Sequence, residues 1–372
     1  MENADGLSIV IATRGRAPLI SQLLQSIVAD MQSCSFPIEM ILADASDQGE
    51  LAAVKKIADQ FGARMLNAAG NISEARNAGV KCAAFEFILF VDSDVTIRQG
   101  TLQAHYEMLQ AGSDACLGVV EFAGRSTFAW RAVESTQLML PFRYPFVCRI
   151  VPWGPTANMS FRRSRLLLVH GFDSSLLYGG EDVDLGFRFT DVGFRIATST
   201  AAVAEHTTET WAKWSQNIPR LLRYGRADYY LACRHPMRTS ADVPSQVITI
   251  ATEIALGIMA CVVYGMWALP RLIALLFAAT IAQHLVYAGV KSKSGSSNWS
   301  HFAGPVVISL LDLGKILEAI KHGDPSAMLR RVNYLDDIVA RDWPEIAAGT
   351  WGVYASIVVF LVGIILLSRM PQ

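Results

Sequence analysis

Paired cysteines and an excess of either charge are missing from this chain. Its 372 residues include six cysteines, and none of them forms a Cys-x-x-Cys pair, so the sequence indicates neither a zinc cluster nor a disulfide framework. The 32 Lys and Arg residues balance 33 Asp and Glu residues, which argues against a general nucleic-acid binder because such proteins usually show a basic excess. Only 17% of the residues are charged and 52% are apolar, a composition that excludes a disordered chain.

Charged residues are rarest in two stretches near the C-terminus. Residues 247–290 contain only Glu253 and Arg271, with Pro270 beside Arg271, and residues 346–367 contain none. About 20 apolar residues are needed to cross the hydrocarbon core of a bilayer. The sequence therefore predicts a hairpin of two membrane spans, with its turn at Pro270 and Arg271, and a third span over residues 346–367.

A more polar segment lies between the hairpin and the third span. Within residues 305–320, Asp312, Lys315 and Glu318 recur every three residues, which places them on one face of a helix. The segment is too polar to span a bilayer, so we expect an amphipathic helix at the membrane interface.

Basic residues beside the predicted spans indicate their orientation. Positive residues concentrate on the cytoplasmic side of membrane proteins, and the chain opens without a charged-then-apolar signal segment. We therefore expect an integral protein of the cytoplasmic membrane with a cytoplasmic domain over residues 1–240, a transmembrane hairpin over 241–292, a cytoplasmic or interfacial segment over 293–345, and a final span with a short tail over 346–372. The flanking basic residues are Arg220, Arg223, Arg226, Arg234, Arg238, Lys291, Lys293, Arg330, Arg331 and Arg341.

The first 91 residues alternate between strand-like and helix-like patterns. Continuous apolar runs suit strands buried in a parallel sheet, whereas Pro18 suits the first turn of a helix and Ser73 suits a helix cap. The predicted strands cover residues 7–13, 38–44, 64–67 and 85–91, and the predicted helices cover residues 18–30, 51–61 and 73–82. Right-handed crossovers then give an α/β fold with a doubly wound, mostly parallel sheet, whose ligand crevice lies at the carboxyl ends of the strands.

Two carboxylates, Asp92 and Asp94, follow directly after the most apolar of these strands. Carboxylate oxygens with few other protein ligands suit Mg²⁺ or Mn²⁺, because these ions keep positions open for the phosphate oxygens of a substrate. The pair therefore indicates a metal site at the sheet edge, and a solvated loop after a strand is the alternative.

Six separated motifs stand out along the first half of the chain: SIVIATR (8–14), ILADAS (41–46), ARNAG (75–79), DSD (92–94), GPTANMSFR (154–162) and GGEDVDL (179–185). Together they resemble the family 2 glycosyltransferases, which are inverting nucleotide-sugar enzymes of the GT-A fold. The resemblance covers about residues 7–230 and implies a fold of that type followed by the transmembrane helices.

The resemblance implies a role for each matching residue. Asp182 is expected to act as the general base that takes the proton from the acceptor hydroxyl, and Glu181 is expected to orient the substrate. Asp94 is expected to ligate Mg²⁺ or Mn²⁺, with Asp92 and with His206, which follows a strand-like run over 196–204. The donor, a UDP- or GDP-linked sugar, is expected to contact Thr13, Arg14, Asp44, Arg76, Asn77, Asp92 and Asn158.

Some of these residues also have purely structural explanations. Adjacent carboxylates such as Glu181 and Asp182 are stabilised at the start of a helix by its dipole. A single histidine such as His206 is compatible with a structural role, and Asn158 follows a Gly-Pro turn that is equally compatible with an ordinary loop.

The region before the first span bears on the acceptor. Residues 216–221 depart from the Q-x-x-R-W motif of processive polysaccharide synthases, whereas residues 223–226 resemble the membrane-proximal motif of non-processive relatives. We expect a single transfer to a lipid-linked or other hydroxyl acceptor, with membrane lipids as further partners. The alternatives are a sugar nucleotidyltransferase and a non-catalytic membrane scaffold with a degenerate transferase domain.

Overall fold

The chain forms two compact units. A computed structural model describes residues 4–68, 70–241, 245–292, 299–335 and 344–369, so the predicted flanking residues Lys293 and Arg341 lie outside the described residues. The first unit combines Met1–Arg125 with Leu140–Glu209, and the second combines Ser126–Met139 with Thr210–Gln372.

The first unit is built on one mixed sheet. Its strands are β1 (Ala4–Thr13), β2 (Ile38–Asp44), β3 (Arg64–Asn67), β4 (Phe85–Val91), β5 (Val95–Ile97), β6 (Ala115–Ala123), β7 (Ile150–Val151), β8 (Asn158–Arg162) and β9 (Ile196–Thr207). They lie in the order β3-β2-β1-β4-β8-β6-β9-β5, with β7 beside β9. The first four strands are parallel, and β8 runs antiparallel to both β4 and β6. The predicted α/β class is therefore confirmed.

Helices connect and follow these strands. The α-helices within the described residues are α1 (Ala17–Met31), α2 (Gln48–Phe61), α3 (Ile72–Cys82), α4 (Thr101–Gln110), α5 (Phe128–Glu134), α6 (Arg163–Leu168), α7 (Glu181–Asp191), α8 (Trp214–Arg234), α9 (Gln246–Tyr264), α10 (Leu269–Ser292), α11 (Gly304–Lys321) and α12 (Pro344–Ser368). Helix α3 begins at Ile72 and its cap is Asn71, not Ser73 as predicted. The side chain of Asn71 accepts the Glu74 N–H, and the Glu74 carboxylate accepts the Asn71 N–H in return, which is a capping box.

The core of the first unit lies between the sheet and α1. Leu7, Ile9 and Ile11 on β1 are fully buried, and the inward face of α1 packs against the same cluster. That face consists of residues at helical spacing, namely Ile20, Leu23, Leu24 and Ile27. In the sheet β1 lies between β2 and β4. The loop after Thr13 lies at the carboxyl edge of the sheet because β1 ends there, opposite the end of β2.

Among its described residues, the second unit contains three helices long and apolar enough to cross a membrane: Gln246–Tyr264, Met266–Ser292 and Ile346–Ser368. The predicted hairpin is present, but the turn at Pro270 and Arg271 was placed too late. The chain leaves α9 at Gly265, whose φ of 90° favours glycine, and α10 already begins at Leu269. Pro270 is accommodated in the first turn of α10, where its missing N–H has no intrahelical partner to lose.

Helix α11 directs some of its polar side chains toward the interior of the second unit. Lys315 and Glu318 are buried, and Glu318 meets Arg226 and Tyr230 of α8. The most exposed apolar side chains of α11 are Val306, Leu313, Leu317 and Ile320, which fall on one helical face. The helix is therefore amphipathic with its apolar face outward.

Candidate functional site

The carboxyl edge of the sheet brings predicted site residues together. Thr13 at the end of β1 lies opposite Asp44 at the end of β2, and Val91 at the end of β4 lies opposite Asn158 at the start of β8. Asp44 is fully buried, and its carboxylate accepts hydrogen bonds from the Ser46 hydroxyl at 2.6 Å and the Ser46 N–H at 3.2 Å.

Arg76 connects two distant parts of the site. It projects from α3, is 3% exposed, and donates from Nη1 to Glu181 Oε1 at 2.7 Å and from Nη2 to Asp92 Oδ1 at 2.9 Å. Helix α3 approaches β1 so closely that a Cβ on Gly79 would lie 2.3 Å from Val10 Cγ1. Arg76 joins the start of α7 to the end of β4 through these two hydrogen bonds. The sequence predicted a contact between Arg76 and the donor, whereas in the structure its guanidinium contacts the carboxylates of Asp92 and Glu181.

The charges around Arg76 oppose the effect of burial. Burial lowers the pKa of Arg76, but the carboxylates of Asp92 and Glu181 outweigh it, so the pKa lies above its ordinary value. Burial raises the pKa of Asp92, and the Arg76 charge opposes that rise. The positive charge of Arg76 offsets the repulsion between the nearby carboxylates of Asp92 and Glu181.

Asp182 lies at the start of α7. Gly179 and Gly180 adopt positive φ values of 108° and 82°, which allow the sharp turn that aims the first turn of α7 at the site. The Asp182 carboxylate accepts the Val183 N–H at 2.8 Å. Burial and the neighbouring charge of Glu181 raise the pKa of Asp182 to about 7 against the opposing charge of Arg76. A carboxylate that titrates near neutral pH suits general-base chemistry.

Asp94 and His206 face one another beside a cavity of about 110 Å³. His206 Nε2 lies 3.5 Å from Asp94 Oδ1, while His206 Nδ1 lies 2.9 Å from the Thr207 carbonyl oxygen. A carbonyl oxygen only accepts, so Nδ1 donates and Nε2 is left facing Asp94. The other oxygen of Asp94 accepts from Arg16 Nη1 at 2.9 Å.

The metal ligands predicted from the sequence are only partly grouped. Asp94 and His206 are close, whereas one oxygen of Asp92 is bound by Arg76. Within the described ranges, no three or more His, Cys, Asp or Glu side chains are arranged so that they could hold a metal ion. Asp94 and His206 still offer the oxygen and imidazole nitrogen that a divalent cation accepts as two protein ligands.

Thr13 and Arg14 hydrogen-bond to neighbouring loops. Thr13 Oγ1 donates to the Gly15 carbonyl at 3.2 Å. Arg14 donates from Nε to the Ala45 carbonyl at 3.0 Å and from Nη2 to the Gly70 carbonyl at 3.1 Å. These contacts shape the edge of the sheet around Asp44.

Two predicted donor contacts are engaged inside the protein. The Asn77 amide makes two hydrogen bonds to the backbone of Phe172, at 2.8 and 2.9 Å. Asn158 has no exposed surface, and its amide donates to the carbonyls of Val119 and Ala202. Both side chains hold segments that border the site, and Asn158 presents no surface to a sugar in this structure.

Two residues at or below the site were missed as functional candidates. Arg16 lies two residues beyond Arg14, which the sequence predicted as a site residue. Nothing in the sequence indicated the contact between Arg16 and Asp94. His105 is fully buried and bridges the Ser160 hydroxyl and Asn158 Oδ1, both at 2.9 Å. Burial lowers the pKa of His105 to about 4, so the ring is neutral. No sequence pattern distinguishes such a histidine from a surface one.

Comparison with known proteins assigns the class. Residues 8–167 match the family described as Glycosyl transferase family 2. The match includes Asp44, Arg76, Asp92 and Asp94 and ends before Glu181. Over these residues the resemblance to the family 2 glycosyltransferases inferred from the motifs is confirmed.

Individual relatives are more distant. Over 179 residues the chain is 31% identical to proteins described as "Pre-mycofactocin glycosyltransferase" from two Mycobacterium tuberculosis strains, and this stretch covers 46% of the chain and 37% of each relative. A crystal structure of S. aureus TarS is 17% identical, with a TM-score of 0.44 over 87% of this chain and 54% of that one. The chain thus matches little more than a third of the length of its curated relatives.

Proposed function

We propose that this protein transfers a sugar from a nucleotide-diphosphate sugar to an acceptor hydroxyl with inversion at the anomeric carbon. The observation that carries the proposal is the buried guanidinium of Arg76, which joins Asp92 at the end of β4 to Glu181 at the start of α7. The charges of Arg76 and Asp92 both act on the pKa of Asp182, which supports a position for Asp182 near the end of β4.

Asp182 supplies the base for the chemical step. Its carboxylate takes the proton of the acceptor hydroxyl while that oxygen attacks the anomeric carbon, and the bond from this carbon to the nucleotide diphosphate breaks. One displacement inverts the configuration. Glu181 is held by Arg76 and sustains the raised pKa of Asp182, so it is a positioning residue.

Asp94 and His206 are the proposed protein ligands for Mg²⁺ or Mn²⁺. Asp94 Oδ1 and His206 Nε2 face each other at 3.5 Å, and the tautomer set by Thr207 leaves Nε2 able to coordinate. A divalent cation there would supply positive charge to the departing diphosphate. Asp92 is bound by Arg76 and contributes negative charge to the same region.

The nucleotide is assigned to the edge formed by β1 and β2. Asp44 at the end of β2 accepts a hydrogen bond from Ser46, and Arg14 donates to the carbonyls of Ala45 and Gly70. Polar groups therefore connect the loops at this edge. The Asp44 carboxylate is fully buried and accepts from Ser46, so it could accept N–H groups of uracil or guanine only after this edge opens. The proposed UDP- or GDP-linked donor therefore rests on the family resemblance.

The acceptor is assigned from the second unit. Its three helices long and apolar enough to cross a bilayer, among the described residues, support attachment of the protein to a membrane. We propose a lipid-linked acceptor and a catalytic unit on the cytoplasmic side of the cytoplasmic membrane, because basic residues flank the spans.

The test uses purified full-length protein in detergent with Mn²⁺, radiolabelled UDP- and GDP-sugars and a membrane lipid extract. We expect one donor to release its nucleoside diphosphate and to leave label in the organic phase. Label only in an aqueous product would contradict the lipid acceptor, and release of pyrophosphate would contradict glycosyl transfer itself.

A further inference from the structure

Arg16 makes an ion pair that the proposed mechanism does not use. It lies in the loop between β1 and α1, and its Nη1 is 2.9 Å from Asp94 Oδ2. The Arg16 side chain is 47% exposed, whereas that of Asp94 is 11% exposed. Within the described residues the guanidinium donates to Asp94, and nearly half of the Arg16 side chain remains exposed to solvent.

The backbone at Arg16 is strained for a residue with a side chain. Its φ of 63° and ψ of 33° lie in the left-handed region, which it shares among non-glycine residues of the described ranges only with His170. Glycine would adopt this conformation without the steric cost of a Cβ. Strain of this kind persists where surrounding contacts hold it, and it concentrates at functional sites.

The two oxygens of Asp94 have different neighbours. Oδ1 faces His206 Nε2 and Oδ2 accepts from Arg16. A cation bound by Asp94 and His206 would compete with the Arg16 guanidinium for the Asp94 carboxylate, and the two positive groups would repel each other. A bound diphosphate would offset the repulsion between the cation and the Arg16 guanidinium, because its negative charges attract both positive groups. A guanidinium is also well suited to hydrogen-bond phosphate oxygens.

We propose that Arg16 binds the diphosphate of the donor and makes cation binding at Asp94 depend on that diphosphate. This inference rests on the proposed function. Without donor, Arg16 neutralises Asp94 and disfavours the cation; with donor, Arg16 contributes to the combined site.

The test measures Mn²⁺ binding to the full-length protein in detergent by electron paramagnetic resonance, first with Mn²⁺ alone and then with UDP or GDP added. Arg16→Gln should bind Mn²⁺ alone about three- to tenfold more tightly than wild type, because one repulsive charge is gone. The same variant should bind Mn²⁺ with nucleoside diphosphate about tenfold more weakly.

Two further variants sharpen the result. Arg64→Gln removes an exposed arginine that donates to the Cys82 carbonyl, and it should behave as wild type in both arms. Arg16→Lys keeps the charge without the planar fork, so it should bind Mn²⁺ alone as weakly as wild type and recover only part of the affinity with diphosphate.

Opposite changes in the two arms identify the proposed role. If Arg16→Gln bound Mn²⁺ more weakly in both arms, Arg16 would merely orient Asp94 and the coupling would be wrong. Unchanged binding in either arm would also overturn it while leaving the proposed function intact. Wild-type protein that bound Mn²⁺ in neither arm would instead contradict the metal site of the proposed function, and the coupling with it.

Discussion

Arg76 is the residue on which the geometry of the site most depends. Its guanidinium is buried between Asp92 and Glu181, which come from segments far apart in sequence. Removing it would leave the carboxylates of Asp92 and Glu181 without the guanidinium that donates to both, in a poorly solvated position.

Replacement of Arg76 therefore tests its role in stability. Arg76→Met should lower the free energy of unfolding by about 2–4 kcal/mol, since Asp92 keeps some exposure to solvent. Arg76→Lys, which keeps the charge and loses the fork, should cost less. Chemical unfolding of the full-length protein in detergent measures both, with Arg64→Met as the exposed control; equal stabilities for Arg76→Met and Arg64→Met would contradict this account.

The pH dependence of transfer reports on Asp182. Its pKa is raised to about 7, so the carboxylate is protonated below that pH and the base is lost. The rate should fall with decreasing pH through an apparent pKa near 7. In Glu181→Gln the limb should move to lower pH, because the second cause of the raised pKa, the Glu181 charge, is removed. A limb that stays near 7 in Glu181→Gln would contradict the assignment to Asp182.

The strained backbone at Arg16 gives a matched pair of variants. Arg16→Ala keeps a Cβ in the left-handed conformation, whereas Arg16→Gly removes it. Arg16→Gly should be the more stable of the two by about 0.5–1 kcal/mol, after the greater flexibility of glycine in the unfolded chain is taken into account. Denaturant unfolding of both variants decides, and an Ala variant that is equally stable or more stable would show that residue 16 carries no such strain.

Among the elements of the second unit, α8 and α11 make a contact that depends on two glycines. A Cβ on Gly225 would lie 1.9 Å from the Leu311 carbonyl oxygen, and one on Gly314 would lie 2.2 Å from the Leu222 carbonyl oxygen. Both obstacles are backbone atoms, so a side chain there can be accommodated only if a helix shifts.

Gly225→Ala should therefore destabilise the protein by about 1–3 kcal/mol despite the better helix propensity of alanine. Gly289 on α10 is the matched control, because nothing lies within 4 Å of a Cβ there. Gly289→Ala should be neutral or slightly stabilising. Thermal unfolding in detergent compares the two, and similar transition temperatures would mean that the α8–α11 contact adapts freely.

Elements were the easiest features to predict from the sequence. Pro18 and the helix-like stretch that follows it indicated α1, because proline suits the first turn of a helix, and uninterrupted apolar runs indicated β1, β2 and β4. The turn before α10 was misplaced because proline is as compatible with the first turn of a helix as with a loop. Boundaries of this kind depend on local geometry that the residue type does not determine.

At the scale of the whole molecule, contacts between distant segments could not be predicted. The motifs indicated the acidic residues, but Arg76 and Glu181 are 105 residues apart and Arg16 and Asp94 are 78 apart, so their pairing follows from how the sheet is assembled. The family resemblance implied that Asn158 contacts the donor; β8 lies between β4 and β6, and Asn158 at its start is fully buried.

The chain combines residues 8–167, which match Glycosyl transferase family 2, with three helices among its described residues that are long and apolar enough to cross a membrane. Its chemistry is proposed to depend on one carboxylate, so the decisive measurement is transfer by full-length Asp182→Asn, with the donor found in the screen, beside wild type and Asp191→Asn at the exposed end of the same helix. Transfer by Asp182→Asn should fall by about 10²- to 10⁴-fold while nucleoside diphosphate binding stays within about twofold of wild type. Asp191→Asn should retain activity. Wild-type turnover by a folded Asp182→Asn protein would contradict the account.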